Sequence, residues 1–247
     1  MENEIEIREC VTLDELAECV ALQRDVFALP EVELSPVRHF VVTRNAGGFT
    51  LGAYIGGRLA GFVLSVPAFQ RGTRAFYSHM TGVRPEFQSH GIGAKLKWAQ
   101  RTRALGEGVR YLKWTFEPVK ARNAHFNLEK LGATVREYQP NFYGTDYATS
   151  PGSQRKIGLQ SDRLFAEWDI ESPKVAALAK GERYAEPGKP VAGIEIMNDW
   201  QTLVSADPER GLAEQLRIRG EFAAAFERGL VGRAFRRDDE HPMYLFY

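Results

Sequence analysis

The order of apolar and polar residues predicts a strand followed by a helix at the start of the chain. Residues 5–10 alternate apolar with charged side chains, which is the pattern of a half-buried strand. Apolar residues then recur at helical spacing over 13–27. Thr12 is placed to cap this helix, and Glu15 follows three residues later as the second half of a capping box.

The same two periodicities continue to about residue 170. The segment Gly56-Gly57-Arg58 separates two apolar runs and predicts a hairpin turn. Further helices are predicted over about 36–46, 91–106 and 120–131, and further strands over 49–55, 59–69, 75–83, 111–116, 135–143 and 163–170. Roughly seven strands and four helices, joined by hairpins and crossovers, indicate an α/β fold with a mixed sheet.

A change of composition marks residues 171–190, where prolines and glycines predict a linker or a long surface loop. After it we expect a strand at 192–197 and a helix from 207 onward, followed by two last segments at 230–235 and 243–247. The helix is expected to bury an apolar stripe made of Leu212, Leu216, Ala223 and Phe226.

This pattern predicts two parts of unequal size. Residues 1–171 would form the main domain, and residues 172–247 would form a small C-terminal αβ layer packed on it. A second apolar stripe on the helix over 91–106, containing Trp98 and Leu105, would receive this layer or a second copy of the chain in a homodimer.

Composition and charge exclude several classes of protein. The chain is 44% hydrophobic and 26% charged, as in ordinary globular proteins, and its 32 Lys and Arg balance 32 Asp and Glu. A net charge of zero gives no reason to expect nucleic acid or an anionic membrane as a partner. The most apolar stretch, residues 54–69, is interrupted by Arg58, so no membrane span is expected.

The two cysteines do not predict a disulfide framework or a metal site. Cys10 and Cys19 are too few for a structural zinc, which needs about four ligands. They are expected to be small core residues. The first residues are acidic, where a secretory signal would be basic and then apolar, so a reduced, cytoplasmic protein is expected.

The segment that carries chemistry lies where the strand over 75–83 gives way to the next helix. Gly91 and Gly93 open that helix. A helix start leaves about four N–H groups without partners, and glycines let a ligand approach them, so this turn suits a pyrophosphate. Leu96 stands where a dinucleotide fingerprint needs a small residue, and no Gly-Lys-Ser/Thr of a P-loop occurs.

The spacing Val83-x-Pro85-x-x-Gln88-x-x-Gly91-x-Gly93 resembles the acyl-CoA motif of the GNAT superfamily of N-acyltransferases. The family pattern is Arg or Gln, two residues, Gly, one residue, then Gly or Ala. The order of predicted elements also matches, so the resemblance covers residues 5 to about 170. It implies a mixed, mostly antiparallel sheet flanked by helices, with acyl-CoA between the strands over 75–83 and 111–116.

The resemblance also implies which residues hold the acyl-CoA. Backbone groups near Val83 would pair with pantetheine, and amides of 89–94 would bind the pyrophosphate. Asn123 and Asn127, one turn apart on the next helix, are the remaining candidates, although Asn127 reads equally well as a solvated residue. The predicted acyl-CoA site is therefore Val83, Gln88, Ser89, His90, Gly91, Ile92, Gly93, Ala94, Asn123 and Asn127.

The predicted catalytic positions depart from the family pattern. The family's usual general acid is a Tyr four residues before the glycine that ends this helix, and Leu128 stands there. Members commonly place a Glu base where this chain has Tyr77. By strand alternation Tyr77, His79, Thr81 and Val83 would share a face, and His79 is the titratable candidate for the base. A hydrogen-bonded structural histidine is the alternative.

Two further residues are candidates for the acceptor side. Glu117 ends the strand over 111–116 and would pair with an acceptor ammonium or act as a base through water; a solvated carboxylate is the alternative. Tyr143 is the first choice for a replacement acid, and a packed tyrosine with its hydroxyl at the surface is the alternative.

The sequence thus predicts an N-acyltransferase. It would move an acetyl or another short acyl group, succinyl included, from acyl-CoA to a small-molecule amine such as an amino acid, with no metal. Direct attack in a ternary complex is expected, since no Ser or Cys adjoins a base. Two alternatives are a non-catalytic acyl-CoA-binding module and a tandem protein with a degenerate second half.

Overall fold

The computed structural model describes residues 4–27, 29–147 and 158–247. The chain forms two compact units. Unit 1 contains the described residues up to Lys113, and unit 2 contains those from Trp114 onward. This boundary falls inside one strand, whereas the sequence predicts a division at residue 171. That division, with a main domain and an extension, stays a prediction.

Unit 1 follows the predicted element order closely. Its strands are β1 (Ile5–Glu9), β2 (Phe49–Ile55), β3 (Arg58–Gln70), β4 (Thr73–Val83) and β5 (Tyr111–Phe116), which runs on into unit 2; its helices are α1 (Leu13–Phe27), α2 (Val37–Asn45) and α3 (Ile92–Gly106). The predicted capping box of α1 is confirmed. The Thr12 hydroxyl accepts from the Glu15 amide at 3.2 Å, and the Glu15 carboxylate accepts from the Thr12 amide at 3.0 Å.

The strands of unit 1 are ordered β1-β2-β3-β4-β5, and the first four pair antiparallel. β4 pairs with β5 in parallel, through the registers Ala75 with Tyr111 and Tyr77 with Lys113 at its two ends. Apolar side chains of α1, α2 and β3 form a buried cluster on one face of this sheet. Cys10 and Cys19 belong to it as free thiols, which confirms them as core residues.

β4 contains a β-bulge in its middle. Leu64 of β3 pairs with Met80, and the next residue, Ser65, pairs with Ser78, so His79 is the extra residue between them. A bulge reorients the side chains around it, so strict alternation does not hold across His79.

Unit 2 is built from the remaining strands and four helices. They are α4 (Ala121–His125), β6 (Thr134–Gln139), β7 (Arg163–Asp169), α5 (Pro173–Ala179), β8 (Ala192–Glu195), α6 (Trp200–Ala206), α7 (Pro208–Glu227), β9 (Gly232–Arg236) and β10 (Met243–Phe246). The strand order is β7-β6-β9-β10-β8, and the registered neighbours pair antiparallel. The C-terminal αβ region therefore adds three strands beside β6. The predicted mixed, mostly antiparallel α/β architecture is confirmed, with the parallel pair β4–β5 in unit 1.

Two predictions about the C-terminal region are wrong. Residues 171–190 are not only loop, because α5 lies within them. Ser172 caps it by accepting from the Val175 amide, Pro173 occupies its first position, and Val175 is fully buried. The sequence analysis also predicts no helix where α6 lies. Asp199 caps this helix by accepting from the Thr202 amide at 3.1 Å.

The buried face of α7 also differs from the predicted stripe. Leu216 and Ala223 are exposed. The buried residues are Gly211, Gln215, Ile218, Phe222 and Ala225. This face includes a glycine and a glutamine, so its apolar periodicity is weak in the sequence.

The described residues include no helix that is both long and apolar enough to cross a bilayer. In the same part of the chain, no three His, Cys, Asp or Glu side chains are grouped as a metal ion would require.

Candidate functional site

The first candidate site is the turn between β4 and α3, in unit 1. A short 3₁₀ turn, Pro85–Phe87, follows the end of β4. The side-chain amide of Gln88 then donates to the Val83 carbonyl oxygen at 3.0 Å, which ties the turn to the end of the strand. The backbone enters α3 through two left-handed residues, Ser89 at φ 67° and Gly91 at φ 75°. The left-handed conformation explains why position 91 is a glycine.

The first amides of α3 are presented by this turn. The first hydrogen bond of the helix runs from the Lys95 amide to the Gly91 carbonyl at 3.0 Å, so the amides of Ile92, Gly93 and Ala94 precede it. Within the described residues, no side chain caps this end. The helix start therefore offers a group of amide donors and the positive end of the helix dipole.

Space in front of these amides fits a bound pyrophosphate. A Cβ atom built at Gly91 or Gly93 would meet no described atom within 4 Å. Residues 88–91 are exposed, and Ala94 is half-buried. The Ile92 side chain is buried in the core, so Ile92 can offer a ligand only its backbone. The residues present thus fit the predicted pyrophosphate site.

His90 lies in this turn and is exposed. Its Nδ1 is 2.8 Å from the Gln88 carbonyl oxygen. This contact holds the ring against the turn and leaves Nε2 on the outer side, where it can reach a phosphate or water.

His79 occupies the bulge of β4 and faces α2. Its ring centroid is 5.7 Å from that of His39 on α2, edge to face, and 6.5 Å from that of Tyr77. His79 is exposed to solvent, although protein atoms surround much of its ring. This desolvation, with the neighbouring His39, lowers the pKa of His79 below its ordinary value. A neutral imidazole at neutral pH is able to accept a proton.

The prediction that Tyr77, His79, Thr81 and Val83 share one face is wrong. Tyr77 pairs with Val66, whereas Thr81 pairs with Val63, an odd number of positions away along β3. Thr81 and Val83 therefore face the side opposite Tyr77. The bulge at His79 causes the reversal.

The sequence did not predict a buried polar network on the other face of the bulge. Lys97 of α3 is buried, and its Nζ donates to Ser78 Oγ at 2.7 Å and to Gln100 Oε1 at 3.2 Å. Gln100 in turn donates to Ser65 Oγ at 2.7 Å. Desolvation by burial lowers the pKa of Lys97 well below its ordinary value. The network holds the paired residues Ser65 and Ser78 directly beside the bulge.

A separate group of candidate residues lies in unit 2, around Arg163 of β7. Arg163 is buried, and its Nη1 is 3.4 Å from Glu117 Oε1. Lys120 Nζ is 3.5 Å from Glu117 Oε2. The Glu117 carboxylate thus has two cationic partners, unlike the solvated carboxylate that was the sequence alternative. Arg163 Nε is buried and has no hydrogen-bond partner within the described residues.

Tyr143 lies over the same arginine. The guanidinium carbon of Arg163 is 5.1 Å from the Tyr143 ring centroid, and the ring stacks on Tyr147 at 4.8 Å. Tyr143 is exposed, and its hydroxyl lies 3.5 Å from Thr115 Oγ1. Instead of continuing the strand predicted to end at residue 143, the chain leaves β6 at Gln139 and turns.

Helix α7 fixes the segment that carries Tyr143. Arg219 donates to the Asp162 carboxylate at 3.0 and 2.8 Å, and that carboxylate accepts from the Asn141 amide at 2.9 Å. The Tyr143 amide donates to Ser161 Oγ at 2.7 Å. The C-terminal region therefore supports the position of Tyr143, a role that the sequence pattern did not reveal.

Residues 15–133 match the model of the acetyltransferase (GNAT) family. This segment has the domain of the GNAT acetyltransferase family. The match covers the turn between β4 and α3 and the helix that contains Leu128. No curated protein matches the chain.

Solved structures of acetyltransferases share this fold. The ribosomal-protein-S18-alanine N-acetyltransferase of Escherichia coli aligns with a TM-score of 0.54 at 16% identity, over 68% of this chain and 96% of that one. An N-acetyltransferase from Staphylococcus aureus aligns at 0.53 and 15% identity, over 68% and 99%. Naa50 of Arabidopsis thaliana, in complex with a bisubstrate analogue CoA-Ac-MVNAL, aligns at 0.50 and 14% identity, over 66% and 97%. At these identities the likeness establishes the fold.

The sequence predicts that Asn123 and Asn127 lie on one face of a helix and contact the same ligand. In the structure their environments differ. Asn123 is exposed, whereas Asn127 is buried and its Oδ1 accepts from the Trp114 indole at 3.2 Å. The segment Phe126–Lys130 is a π-helix, with the Leu131 amide bonded to the Phe126 carbonyl. Asn127 is therefore a structural residue of unit 2, neither solvated nor open to a ligand.

Leu128 is fully buried. A general acid at this position would need a hydroxyl group. The packed leucine side chain has none. The helix ends as predicted at Gly132, with φ 75°, and a Cβ there would lie 3.1 Å from Leu178 and from Lys174 of α5. Close packing and the left-handed backbone both require this glycine.

Proposed function

We propose that this protein transfers an acetyl or another short acyl group from acyl-CoA to the primary amine of a small molecule such as an amino acid. The observation that carries the proposal is the start of α3, where two glycines leave open space before the amides of residues 92–94. This arrangement suits the pyrophosphate of CoA. The match to an acetyltransferase family supports the acyl donor.

In this proposal, some residues of unit 1 bind the acyl-CoA and His79 transfers a proton. The amides of 92–94 would bind the pyrophosphate, and backbone groups near Val83 would orient the pantetheine arm. His79 would accept a proton from the acceptor amine, because only the neutral amine has a lone pair for attack. The lowered pKa of His79 keeps its imidazole in the neutral form that this step requires.

The reaction is a direct acyl transfer. The amine nitrogen forms a bond with the thioester carbonyl carbon, the carbon–sulfur bond breaks, and CoA leaves as its thiol after its sulfur gains a proton. Tyr143 is the candidate donor of that proton, since Leu128 cannot supply one. Glu117 pairs with Arg163 and Lys120, so its carboxylate is better suited to neutralise these two cations than to act as a base.

One observation favours a second candidate, an acyl-CoA-binding module without catalysis. The family's acid position holds Leu128, which is fully buried. A protein that retains the turn before α3 and has lost its acid would bind acyl-CoA and release it unchanged.

An assay of CoA-thiol release separates the two candidates. The full chain is incubated with acetyl-CoA or succinyl-CoA and with amino acids, polyamines or a peptide bearing a free N-terminus. Release that depends on an amino acid or a polyamine supports the proposal. Release only with the peptide would replace the small-molecule acceptor with a polypeptide one. Acyl-CoA binding measured by calorimetry, with no release from any amine, would support the binding module.

A further inference from the structure

His39, on α2, meets His79 across the face of the sheet that α2 covers. The two ring centroids are 5.7 Å apart and the ring planes are inclined by 67°. The sequence does not predict this contact, because the two residues are forty positions apart. His39 lies on a helix, and His79 lies at the bulge of a strand. The tertiary structure places two imidazoles in contact at the position proposed for the base.

The His39 ring carries an unusual feature. Its Nε2 atom is buried and has no hydrogen-bond partner among the residues that the structure describes. Buried polar atoms without a hydrogen-bond partner are rare in folded proteins, because each one lowers the stability of the folded state. A nonpolar residue would fill this place without that cost, so the imidazole itself needs an explanation.

The ionisable groups around His79 come from four elements. His39 belongs to α2, Tyr77 precedes the bulge on β4, and Lys113 of β5 pairs with Tyr77. Lys97 of α3 bonds to the opposite face of β4. Among these groups, His39 is the one whose charge acts on the pKa of His79, and desolvation acts in the same direction.

The other residues described beside this stretch of β4 carry no ionisable group. Leu64 and Ser65 of β3 flank the bulge. α1 meets β4 near Gly82 through Leu22 and Phe27. Desolvation is the larger cause of the lowered pKa of His79, and the charge of His39 is the second.

We propose that His39 is a positioning residue for His79, and that a charge on the His39 ring opposes a charge on the His79 ring. The edge-to-face contact holds the His79 ring at the bulge. Two cations at this separation would repel each other, so protonation of one ring disfavours protonation of the other. His79 consequently stays neutral and ready to accept a proton from the acceptor. This consequence for catalysis rests on the proposed function; the pairing of the two rings does not.

NMR titration of the full chain, labelled with ¹³C at histidine Cε1, tests the pairing without any activity. The chain has five histidines, and His39→Gln and His79→Gln assign the two signals. In His39→Gln we expect the titration midpoint of His79 to rise, because the charge of His39 no longer opposes protonation of the His79 ring.

Two further variants make the result decisive. His39→Phe keeps an aromatic ring and removes the charge, so it should raise the His79 midpoint as His39→Gln does, and it replaces that variant if glutamine disturbs folding. His90→Gln removes another histidine of unit 1 and should leave the His79 midpoint unchanged. An identical His79 midpoint in the wild type, His39→Gln and His39→Phe would overturn the proposal.

Kinetics separates this proposal from the function. If His79 is the base, the acidic limb of kcat/KM moves to higher pH in His39→Phe by the same amount as the NMR midpoint, with the KM for acyl-CoA unchanged. A shifted NMR midpoint with no acyl transfer in any variant supports the paired histidines and rejects the proposed function. A shifted midpoint with an unmoved kinetic limb removes His79 as the base and overturns the positioning role.

Discussion

Lys97 donates a hydrogen bond from its buried Nζ to the hydroxyl of Ser78, 2.7 Å away, on the strand residue next to the bulge. A buried lysine with a strongly lowered pKa makes folding dependent on pH. The unfolded chain holds the Lys97 proton up to about pH 10.4, whereas the folded chain releases it at lower pH. Unfolding therefore takes up a proton between these two values, and stability rises with pH there.

The variant Lys97→Met should lose this dependence. In the wild type the Lys97 contribution to the free energy of unfolding rises between pH 7 and 9.5 by at most about 1.4 kcal/mol per pH unit. Lys97→Met should lack that rise and be at least as stable at pH 7, because the two side chains have similar volumes. Urea unfolding at both pH values measures it. Lys95→Met, exposed on the same helix, is the control and should keep the wild-type slope. Equal slopes for Lys97→Met and the wild type would contradict the prediction.

A methyl group at Gly93 should block acyl-CoA without disturbing the fold. The space that a Cβ would enter is open, so Gly93→Ala should fold normally and weaken acetyl-CoA binding at least tenfold, about 1.4 kcal/mol. Gly106→Ala is a matched control on the same helix, since a Cβ there also meets no described atom within 4 Å. Titration calorimetry with acetyl-CoA compares the two. Wild-type affinity in Gly93→Ala would remove the pyrophosphate from this turn.

Replacement of the proposed base should slow turnover and leave binding intact. For His79→Gln we expect a loss in kcat of about two orders of magnitude, the typical contribution of a general base. The acidic limb of the wild-type kcat/KM profile should lie below about pH 6.5, because the pKa of His79 is lowered. His241→Gln, exposed in unit 2, is the control and should keep the wild-type kcat. Full activity of His79→Gln at pH 7 would show that His79 is structural.

Tyr143 and Tyr147 offer a matched pair for the proton donor. The two rings stack at 4.8 Å, and the Tyr143 ring lies over Arg163. Tyr143→Phe should lower kcat at least tenfold, because the thiolate would lose its acid. Tyr147→Phe preserves the stack and should keep the wild-type kcat. If the two variants behave alike, Tyr143 does not donate the proton.

The sequence by itself determined the features that depend on nearby residues. Backbone hydrogen bonding imposes the periods of helices and strands, so most elements of both units were predicted within a few residues. The capping box of Thr12 and Glu15 and the two glycines at the start of α3 are local as well. Their roles follow from the conformation of a few consecutive residues, as the left-handed Gly91 illustrates.

The tertiary structure alone decided which distant side chains meet. The bulge at His79 arises from the register between β3 and β4, and it brings His79 against His39 and leaves Ser78 facing Lys97. A π-helical turn buries Asn127. The buried face of α7 depends on Gln215 exchanging two hydrogen bonds with the backbone of Gln160, which makes a polar residue acceptable inside. A sequence pattern records the apolar character of each residue, whereas these features depend on partners far along the chain.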